Sequence, residues 1–372
     1  MQKIKILHVM PVFRTGGAEK LVLQYAQTFD KKVYEFHVAC CVEDGELRSE
    51  FERAGVEVCV ASRKTDGGKS GVYKKIEKYI EETKPDIIHT HLFGADMIGY
   101  KIKKKYGHAI QWISTLHNVE VDTSYAMKLV WKKILKYTDK VVVVSETVGT
   151  FASRRFKINS DKFALIPNGI EVKQWLPISE LQLFSKEKLR IGTVGRLWEQ
   201  KGHVYLLRAL PLLTQFSYEL HIFGDGPLKK KLMDEAEKLG CAEAIIWHGV
   251  TTDMAAALKD IDIVVQPSLW EGQSLVIMEA MAAARVVIAT PAAGEGLILD
   301  TENGYIVPSK NPEALAEKIR FVRGHQKEAQ DVVKNARASA KKYFDISKNI
   351  EALSGLYQNL VVPYTDNNTT EV

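Results

Sequence analysis

The sequence predicts an α/β architecture: two facing domains, each built on a parallel sheet, with a cleft between them. Three observations predict it. Short β-branched runs alternate with longer amphipathic stretches along the first half of the chain, the rhythm of βαβ units. That rhythm restarts after a punctuated linker, so a second parallel sheet is expected. The chain has 372 residues, 46% hydrophobic and 26% charged, enough for two core-bearing domains rather than one.

Taken in order, the strands expected in the first half are Ile4–Val9, Glu35–Cys41, Val56–Val60, Asp86–Thr90, Gln111–Leu116 and Val141–Ser145. The linker falls around Ile166–Ser179, where Pro167, Asn168, Gly169 and Pro177 punctuate the chain. Beyond it the expected strands are Leu189–Val194, Tyr218–Phe223, Ala244–Trp247, Ile261–Gln266 and Val286–Thr290. The first domain is thus 1–168 and the second 180–344. Asp345–Leu360 has helical apolar spacing without a strand partner, and a helix over about 345–361 is expected to pack back on the first domain. The polar tail Thr365–Val372 reads as disordered.

Composition excludes several classes. The opening KIKILHVMPVF carries lysines ahead of an apolar stretch, but His8 and Pro11 interrupt it, so it reads as a first strand rather than a signal peptide. No apolar run approaches the roughly 18 residues that span a bilayer, and a cytoplasmic protein is expected. Cys40, Cys41, Cys59 and Cys241 show no metal-binding spacing, and four thiols cannot staple so long a chain, so a reducing compartment fits. The net charge of +5 is uneven: residues 1–180 carry 29 basic against 22 acidic side chains, the remainder 22 against 24. Residues 101–157 alone carry 12 against 4, which marks where an anionic partner would sit.

The most informative segment is Trp270-Glu-Gly-Gln-Ser-Leu-Val-Ile-Met-Glu. A strand ending at Pro267 turns through Gly272 into a helix starting near Ser274. The free N–H groups of that helix start favour a phosphate, and Ser274 adds a hydroxyl. Glu279 sits among Leu275, Val276, Ile277, Met278 and Met281, on a helix apolar nearly all round. Burial of a carboxylate there costs several kcal/mol unless a specific partner, such as a ligand hydroxyl, offsets it. The second segment, Gly195-Arg-Leu-Trp-Glu-Gln-Lys-Gly, follows a strand at the carboxyl end of a sheet, where open α/β sheets place ligands. Its Arg196 and Lys201 offer a forked donor and a point charge to a diphosphate.

In the first half, Gly16 and Gly17 lie between the first strand and the first helix, where glycine lets backbone approach a ligand closely. The spacing is not the dinucleotide fingerprint. His117, in Thr115-Leu-His-Asn118, ends a strand and is expected to face the cleft. Asp260-Ile-Asp262 has the letters of a metal signature, but it precedes an apolar strand and reads as a helix-to-strand turn.

These segments resemble the GT-B glycosyltransferases of the large retaining family 4, which share a Gly-Gly first loop, a Gly-Arg-x4-Lys-Gly segment and a Glu-x7-Glu motif, here Glu271 and Glu279. Phe223-Gly-Asp-Gly-Pro227, Ile166-Pro-Asn-Gly-Ile170 and Gly304-Tyr-Ile-Val-Pro308 match as well, so the resemblance spans nearly the whole chain. It implies a GT-B fold and donor binding through Gly16, Gly17, Arg196, Lys201, Gly272, Ser274, Leu275 and Glu279. Within that set Glu279 would take the ribose, and Arg196 and Lys201 the diphosphate. Glu271 would hold the transferred sugar's hydroxyls, and His117 would lie beside the reacting centre. The chain departs from the family at Ala280-Met-Ala-Ala-Ala-Arg-Val286, where Ala-Met-Ala-Cys-Gly-x-Pro is usual, and at Ala293-Gly294-Glu295.

The expected reaction is transfer of a hexosyl group, with retained configuration, from a UDP-sugar, or secondarily GDP-mannose, to an acceptor hydroxyl in cell-envelope glycan, exopolysaccharide or glycolipid synthesis. No cofactor or metal is required if Arg196, Lys201 and the helix N-terminus neutralise the leaving diphosphate. A sugar-nucleotide epimerase of similar architecture and a non-catalytic binder of anionic polymers are the alternatives. The latter is disfavoured by the buried Glu279 and the lack of an aromatic stacking array, and no nucleic-acid partner is expected. Within 101–157, Ser124–Tyr137 is predicted as a helix with Lys128, Lys132, Lys133 and Lys136 on one arc and Met127, Val130, Trp131, Ile134 and Leu135 opposite. Together with Lys101, Lys103, Lys104, Lys105, Arg154, Arg155 and Lys157, it suggests peripheral docking on an anionic inner membrane face and a lipid-linked or saccharide acceptor.

Overall fold

The computed structural model describes residues 3–119, 124–179, 183–185, 187–251 and 253–361; the predicted polar tail lies outside them. The chain divides into two units. One runs to Pro167 and takes in the chain from Asn349 on, and the other is Asn168–Lys348.

The first unit is a seven-stranded sheet of β1 (Ile4–Val12), β2 (Tyr34–Glu43), β3 (Glu57–Val60), β4 (Ile87–His91), β5 (Gln111–Leu116), β6 (Lys140–Val143) and β7 (Phe163–Leu165). Their order is β3-β2-β1-β4-β5-β6-β7. The second unit repeats the scheme with β8 (Leu189–Val194), β9 (Tyr218–Phe223), β10 (Ile245–Gly249), β11 (Ile263–Gln266), β12 (Val286–Ala289) and β13 (Tyr305–Ile306), ordered β10-β9-β8-β11-β12-β13. Each strand pairing is parallel, and helices cover the sheets. The order reverses between β1 and β4 and again between β8 and β11, the positions at which open α/β sheets receive ligands. The fold is α/β of the GT-B type.

Helices on both faces make the strands nearly continuous apolar runs rather than alternating ones. In the second unit Leu189, Ile191, Ile263, Val265, Val286 and Ile288 pack on one side of the sheet, and Val194, Val264, Val287 and Ala289 on the other. In the first unit Leu7, Val9, Ile88, Trp112 and Leu116 share one core face. By alternation, His8, His89, His91 and Thr115 point to the other face. The parallel register then sets His8 beside His89 and His91 beside Thr115. Over this second face lies the helix Ile346–Val361, whose Tyr357 is wholly buried against Phe29, Tyr34, His8 and His89.

Candidate functional site

Each unit carries its own cluster of polar side chains at the carboxyl ends of its central strands. In the second unit the frame is built from glycines. Gly202 has φ +62°, and a Cβ there would lie 2.1 Å from the Pro267 carbonyl oxygen, so both conformation and space demand glycine. Gly224, at φ +142°, is pressed against Gly195 in the same way: a Cβ on it would fall 2.0 Å from the Gly195 oxygen. Main-chain and side-chain bonds complete the stitching: Leu269 N–H donates to the Gln200 carbonyl at 2.7 Å, and Gln200 Nε2 donates to the Trp270 carbonyl at 2.9 Å. The loop bearing Arg196 and Lys201 is therefore fixed to the loop bearing Glu271.

The consequence is an ion pair. Lys201 Nζ lies 2.5 Å from Glu271 Oε1, which also accepts from Ser268 Oγ at 2.8 Å, and the Glu271 side chain is 9% exposed. Two residues given separate sequence roles, diphosphate and sugar hydroxyls, thus hold each other. Arg196 is exposed, with its guanidinium 5.1 Å over the exposed Trp198 ring. After Gly272 the helix Leu275–Ala282 begins, capped by Ser274, whose Oγ accepts from Ile277 N–H at 3.4 Å. Ser274 is buried, and its Oγ accepts from the helix it starts, a bond that does not use its O–H as a donor. Leu275 is half-buried at the first turn, and Glu279, one turn on, is 8% exposed as its apolar surroundings require.

Two features of this unit answer points raised by the sequence. Ala284, which stands where the family pattern has glycine, adopts φ +54°, a left-handed conformation that costs an alanine about 1 kcal/mol. Arg285 beside it is buried and donates to the carbonyls of Ala283, Ile261 and Ile178. The loop keeps a glycine-like bend and replaces the missing proline with an arginine tie to the segment before β8. Asp260 and Asp262 serve Arg190. Asp262, fully buried, accepts from Arg190 N, Nε and Nη2 and from Phe184 N, while Asp260 accepts from Arg190 Nη1 at 2.9 Å. Those residues lie between the helix Met254–Lys259 and β11, in the predicted turn.

In the first unit Gly16 caps the helix Gly17–Thr28 in extended backbone, and a Cβ on it would lie 2.4 Å from Glu19 Oε2. The space beside Gly16, expected to admit a ligand, is filled by this chain's own buried glutamate. His117 follows β5 directly and is partly exposed, as the strand-end reading expects. The histidines behind it escaped that reading. His91 Nδ1 is 2.9 Å from His117 Nε2, and His8 Nδ1 is 2.9 Å from His91 Nε2. Burial drives the pKa of His8 to about 3 and of His117 to about 4, and those of His89 and His91 well below the usual range. All four are therefore neutral at pH 7. One ring nitrogen from each of His8, His89 and His91 lies within 4.8 Å of the others, the spacing of a metal site, while His8 Nδ1 and His91 Nε2 are hydrogen-bonded to each other. The His89-x-His91 spacing on a strand was the available signal, since alternate residues share a face.

The basic segment needs correction. Lys103 is buried, with Nζ 2.6 Å from Asp139 Oδ2 and 3.2 Å from the Ile110 carbonyl. Lys105 pairs with Glu77 and Glu81. Neither adds free charge to a surface, because the helix Leu92–Tyr106 turns them toward acidic neighbours. The predicted helix is Tyr125–Ile134 followed by a 3-10 turn, Leu135–Tyr137. Of its apolar face Trp131, Ile134 and Leu135 are buried, with Trp131 Nε1 donating to the buried Asp96 at 2.7 Å. Met127 and Val130 are instead exposed, as are Tyr125 (70%), Leu129 (48%) and Tyr137. Among the described residues no helix is long and apolar enough to cross a membrane.

A model of glycosyltransferase family 4 matches residues 15–174, and one of the glycosyl transferases group 1 matches 188–323. An Escherichia coli UDP-Gal:alpha-D-GlcNAc-diphosphoundecaprenol alpha-1,3-galactosyltransferase is 24% identical over 97% of this chain and 98% of its own length. The putative glycosyltransferase EpsF of Bacillus subtilis is 23% identical over 95% and 96%. Among solved structures, Anabaena Alr3699/HepE in complex with UDP and glucose superposes with a TM-score of 0.85 at 20% identity, covering 96% of this chain and 100% of that one.

Proposed function

The chain belongs to the group 1, family 4 glycosyltransferases, and from that premise we propose that it moves a hexosyl group from a UDP-sugar to an acceptor hydroxyl with retained configuration. One observation carries the reading: the Lys201–Glu271 pair stands in the loop frame next to the capped helix Leu275–Ala282 and its buried Glu279. An arriving diphosphate competes with Glu271 for the Lys201 ammonium. Once the phosphate oxygens take that cation, the Glu271 carboxylate is released to accept hydroxyls of the transferred sugar. Arg196 on its flexible stem and the helix N-terminus share the remaining charge of the leaving group, and Glu279 accepts from the ribose. No metal is required for this neutralisation. His117 stands on the acceptor side.

The preference for UDP draws support from the E. coli relative, named for UDP-Gal, and from the Anabaena structure containing UDP. The same relative, named for a diphosphoundecaprenol substrate, favours a lipid-linked acceptor. Peripheral docking is supported by Tyr125, Met127, Leu129 and Val130 standing exposed beside Lys133 and Lys136. Membership of a transferase family leaves nothing that favours an epimerase or a polymer binder.

The test is thermal shift with UDP, GDP and ADP, followed by UDP release from UDP-galactose and UDP-glucose with a diphosphoundecaprenol-linked acceptor. A ligand at a hundred times its Kd adds about 2.7 kcal/mol. UDP is expected to stabilise the parent and to lose most of that effect with Lys201→Ala and Glu279→Ala. A parent that UDP does not stabilise, or variants that bind it unchanged, would overturn the donor assignment. The anomeric configuration of the product, read by NMR, tests retention.

A further inference from the structure

We infer that His8 and His91 are positioning residues that set which nitrogen of His117 carries its proton, through one hydrogen-bond chain closed by Tyr357. The inference rests on the reading of His117 as a group on the acceptor side of the site.

Strand register creates the chain. His8, His89 and His91 share a face of neighbouring strands, and His117 follows the next strand. From the outer end inward, His117 Nε2 meets His91 Nδ1 at 2.9 Å, and His91 Nε2 meets His8 Nδ1 at 2.9 Å. His8 Nε2 then lies 3.5 Å from Tyr357 Oη. The same hydroxyl is 2.6 Å from His89 Nδ1, and His89 Nε2 is 2.6 Å from Thr115 Oγ1.

A neutral imidazole has one N–H and one lone pair. His91 is bonded through both nitrogens, so it donates at one and accepts at the other. The same holds for His8, and for His89 on the far side of Tyr357, while the phenol has a single proton to give. Were both imidazoles to donate to the phenol oxygen, the buried phenol proton would have no acceptor in the chain; every bond therefore runs in one direction, and only two arrangements satisfy all members.

In the first, Tyr357 donates to His89 Nδ1, and His89 Nε2–H donates to Thr115. His8 Nε2–H donates to the phenol oxygen, His91 Nε2–H to His8, and His117 Nε2–H to His91. His117 then offers a lone pair at Nδ1. In the second, every bond is reversed and His117 offers Nδ1–H. A substrate hydroxyl meeting Nδ1 finds an acceptor in one case and a donor in the other, and groups that never touch it decide which. Because His8, His89, His91 and Tyr357 are buried, one reversed member would leave two donors or two lone pairs facing each other, which a buried network does not tolerate. The whole chain switches or none of it does.

Both arrangements give His8, His89, His91 and His117 the same tautomer. Long-range 1H–15N correlation on full-length protein labelled with 15N-histidine reads it directly, with assignment by single His→Gln substitutions. One shared tautomer is expected in the parent. Tyr357→Phe is expected to free His89 from the other three, which stay alike because their two mutual bonds remain. The tautomers read the chain itself; the positioning role is read from turnover. His91→Gln is expected to slow UDP release from UDP-galactose by about tenfold, with KM for the donor within about twofold. Mixed tautomers among His8, His91 and His117 in the parent, or a stoichiometric bound metal, would overturn the chain. A shared tautomer combined with full turnover by His117→Gln would overturn the positioning role and, separately, the placing of His117 in the site.

Discussion

Asp262 and Asp260 offer the cleanest separation of a structural carboxylate from a catalytic one. Asp262 Oδ1 accepts from Phe184 N–H at 2.8 Å and Arg190 Nη2 at 3.3 Å, and Oδ2 accepts from Arg190 N–H at 3.0 Å and Nε at 3.4 Å. Asp262→Asn preserves shape but keeps only one oxygen. Two of the four N–H groups then face an NH2, and the buried Arg190 guanidinium is left with Asp260, whose side chain is 61% exposed. Breaking a buried ion pair from one side costs roughly 3–5 kcal/mol. For a unit of this size that lowers the midpoint by roughly 10 °C. Asp260→Asn weakens the bond to Arg190 Nη1 at a solvated site and is expected to cost under about 1 kcal/mol.

Calorimetry on both variants, with UDP release measured in EDTA and in manganese, tests the argument. The expected pattern is a large shift for Asp262→Asn, a small one for Asp260→Asn, and turnover in all three proteins that survives the chelator at a permissive temperature. If Asp262→Asn melts with the parent while losing a manganese-dependent activity, the carboxylates are metal ligands and the structural account fails.

Three further outcomes are expected. Stability should fall between about pH 6.5 and 4, because the unfolded chain protonates its histidines there while burial holds His8 at about 3 and His117 at about 4. Unfolded protein thus binds more protons, and His8 alone removes roughly 2 kcal/mol by pH 5, which urea titrations at stepped pH would read; a flat profile would count against the buried neutral histidines. Gly202→Ala, with its Cβ driven into the Pro267 carbonyl, should weaken UDP binding about tenfold or more although it removes no ligand-touching atom, and unchanged affinity by calorimetric titration would contradict the loop frame. Liposome co-sedimentation at low salt should favour anionic over neutral vesicles and lose that preference when Lys128, Lys132, Lys133 and Lys136 become glutamine, at on the order of 1 kcal/mol per lysine; equal binding to both vesicles would remove the docking surface.

Most of the strands were legible because a parallel sheet covered on both faces leaves uninterrupted β-branched runs. Gln111–Leu116, Leu189–Val194 and Tyr218–Phe223 fall where the sequence puts them, and the others differ by a few residues at their ends. The larger discrepancies have identifiable causes. β1 continues to Val12 past Pro11, because its pairing with β2 shifts register between Met10 and Val12 and the missing N–H falls in that irregularity. β7 and β13 lie at sheet edges and have three and two residues, too short to display a period. In the basic segment, the pattern counted charges but not partners: helical position gives Lys103 and Lys105 the same formal sign as their neighbours, and only the fold reveals Asp139, Glu77 and Glu81 beside them.

The site divides along the same line, between what one segment states and what two segments state together. A turn followed by a helix with a glutamate inside its apolar face is written in consecutive residues, so the Ser274 start and the burial of Glu279 could be inferred. Lys201 and Glu271 are 70 positions apart, and they meet because Gly202 passes under Pro267, so closely that a Cβ would lie 2.1 Å from its carbonyl oxygen. The histidine chain needs still more. His89 and His91 fall on one face by alternation alone, but His8 joins them because β1 is the strand at which the sheet reverses, with β4 as its neighbour. Strand order is not encoded in any local pattern; it follows from right-handed crossovers applied to the whole unit. The same reversal that opens a ligand position at the sheet's carboxyl edge therefore also assembles the buried imidazoles behind it. A substitution that left every strand intact but altered this order would separate His8 from His91 while keeping the His89-x-His91 spacing unchanged.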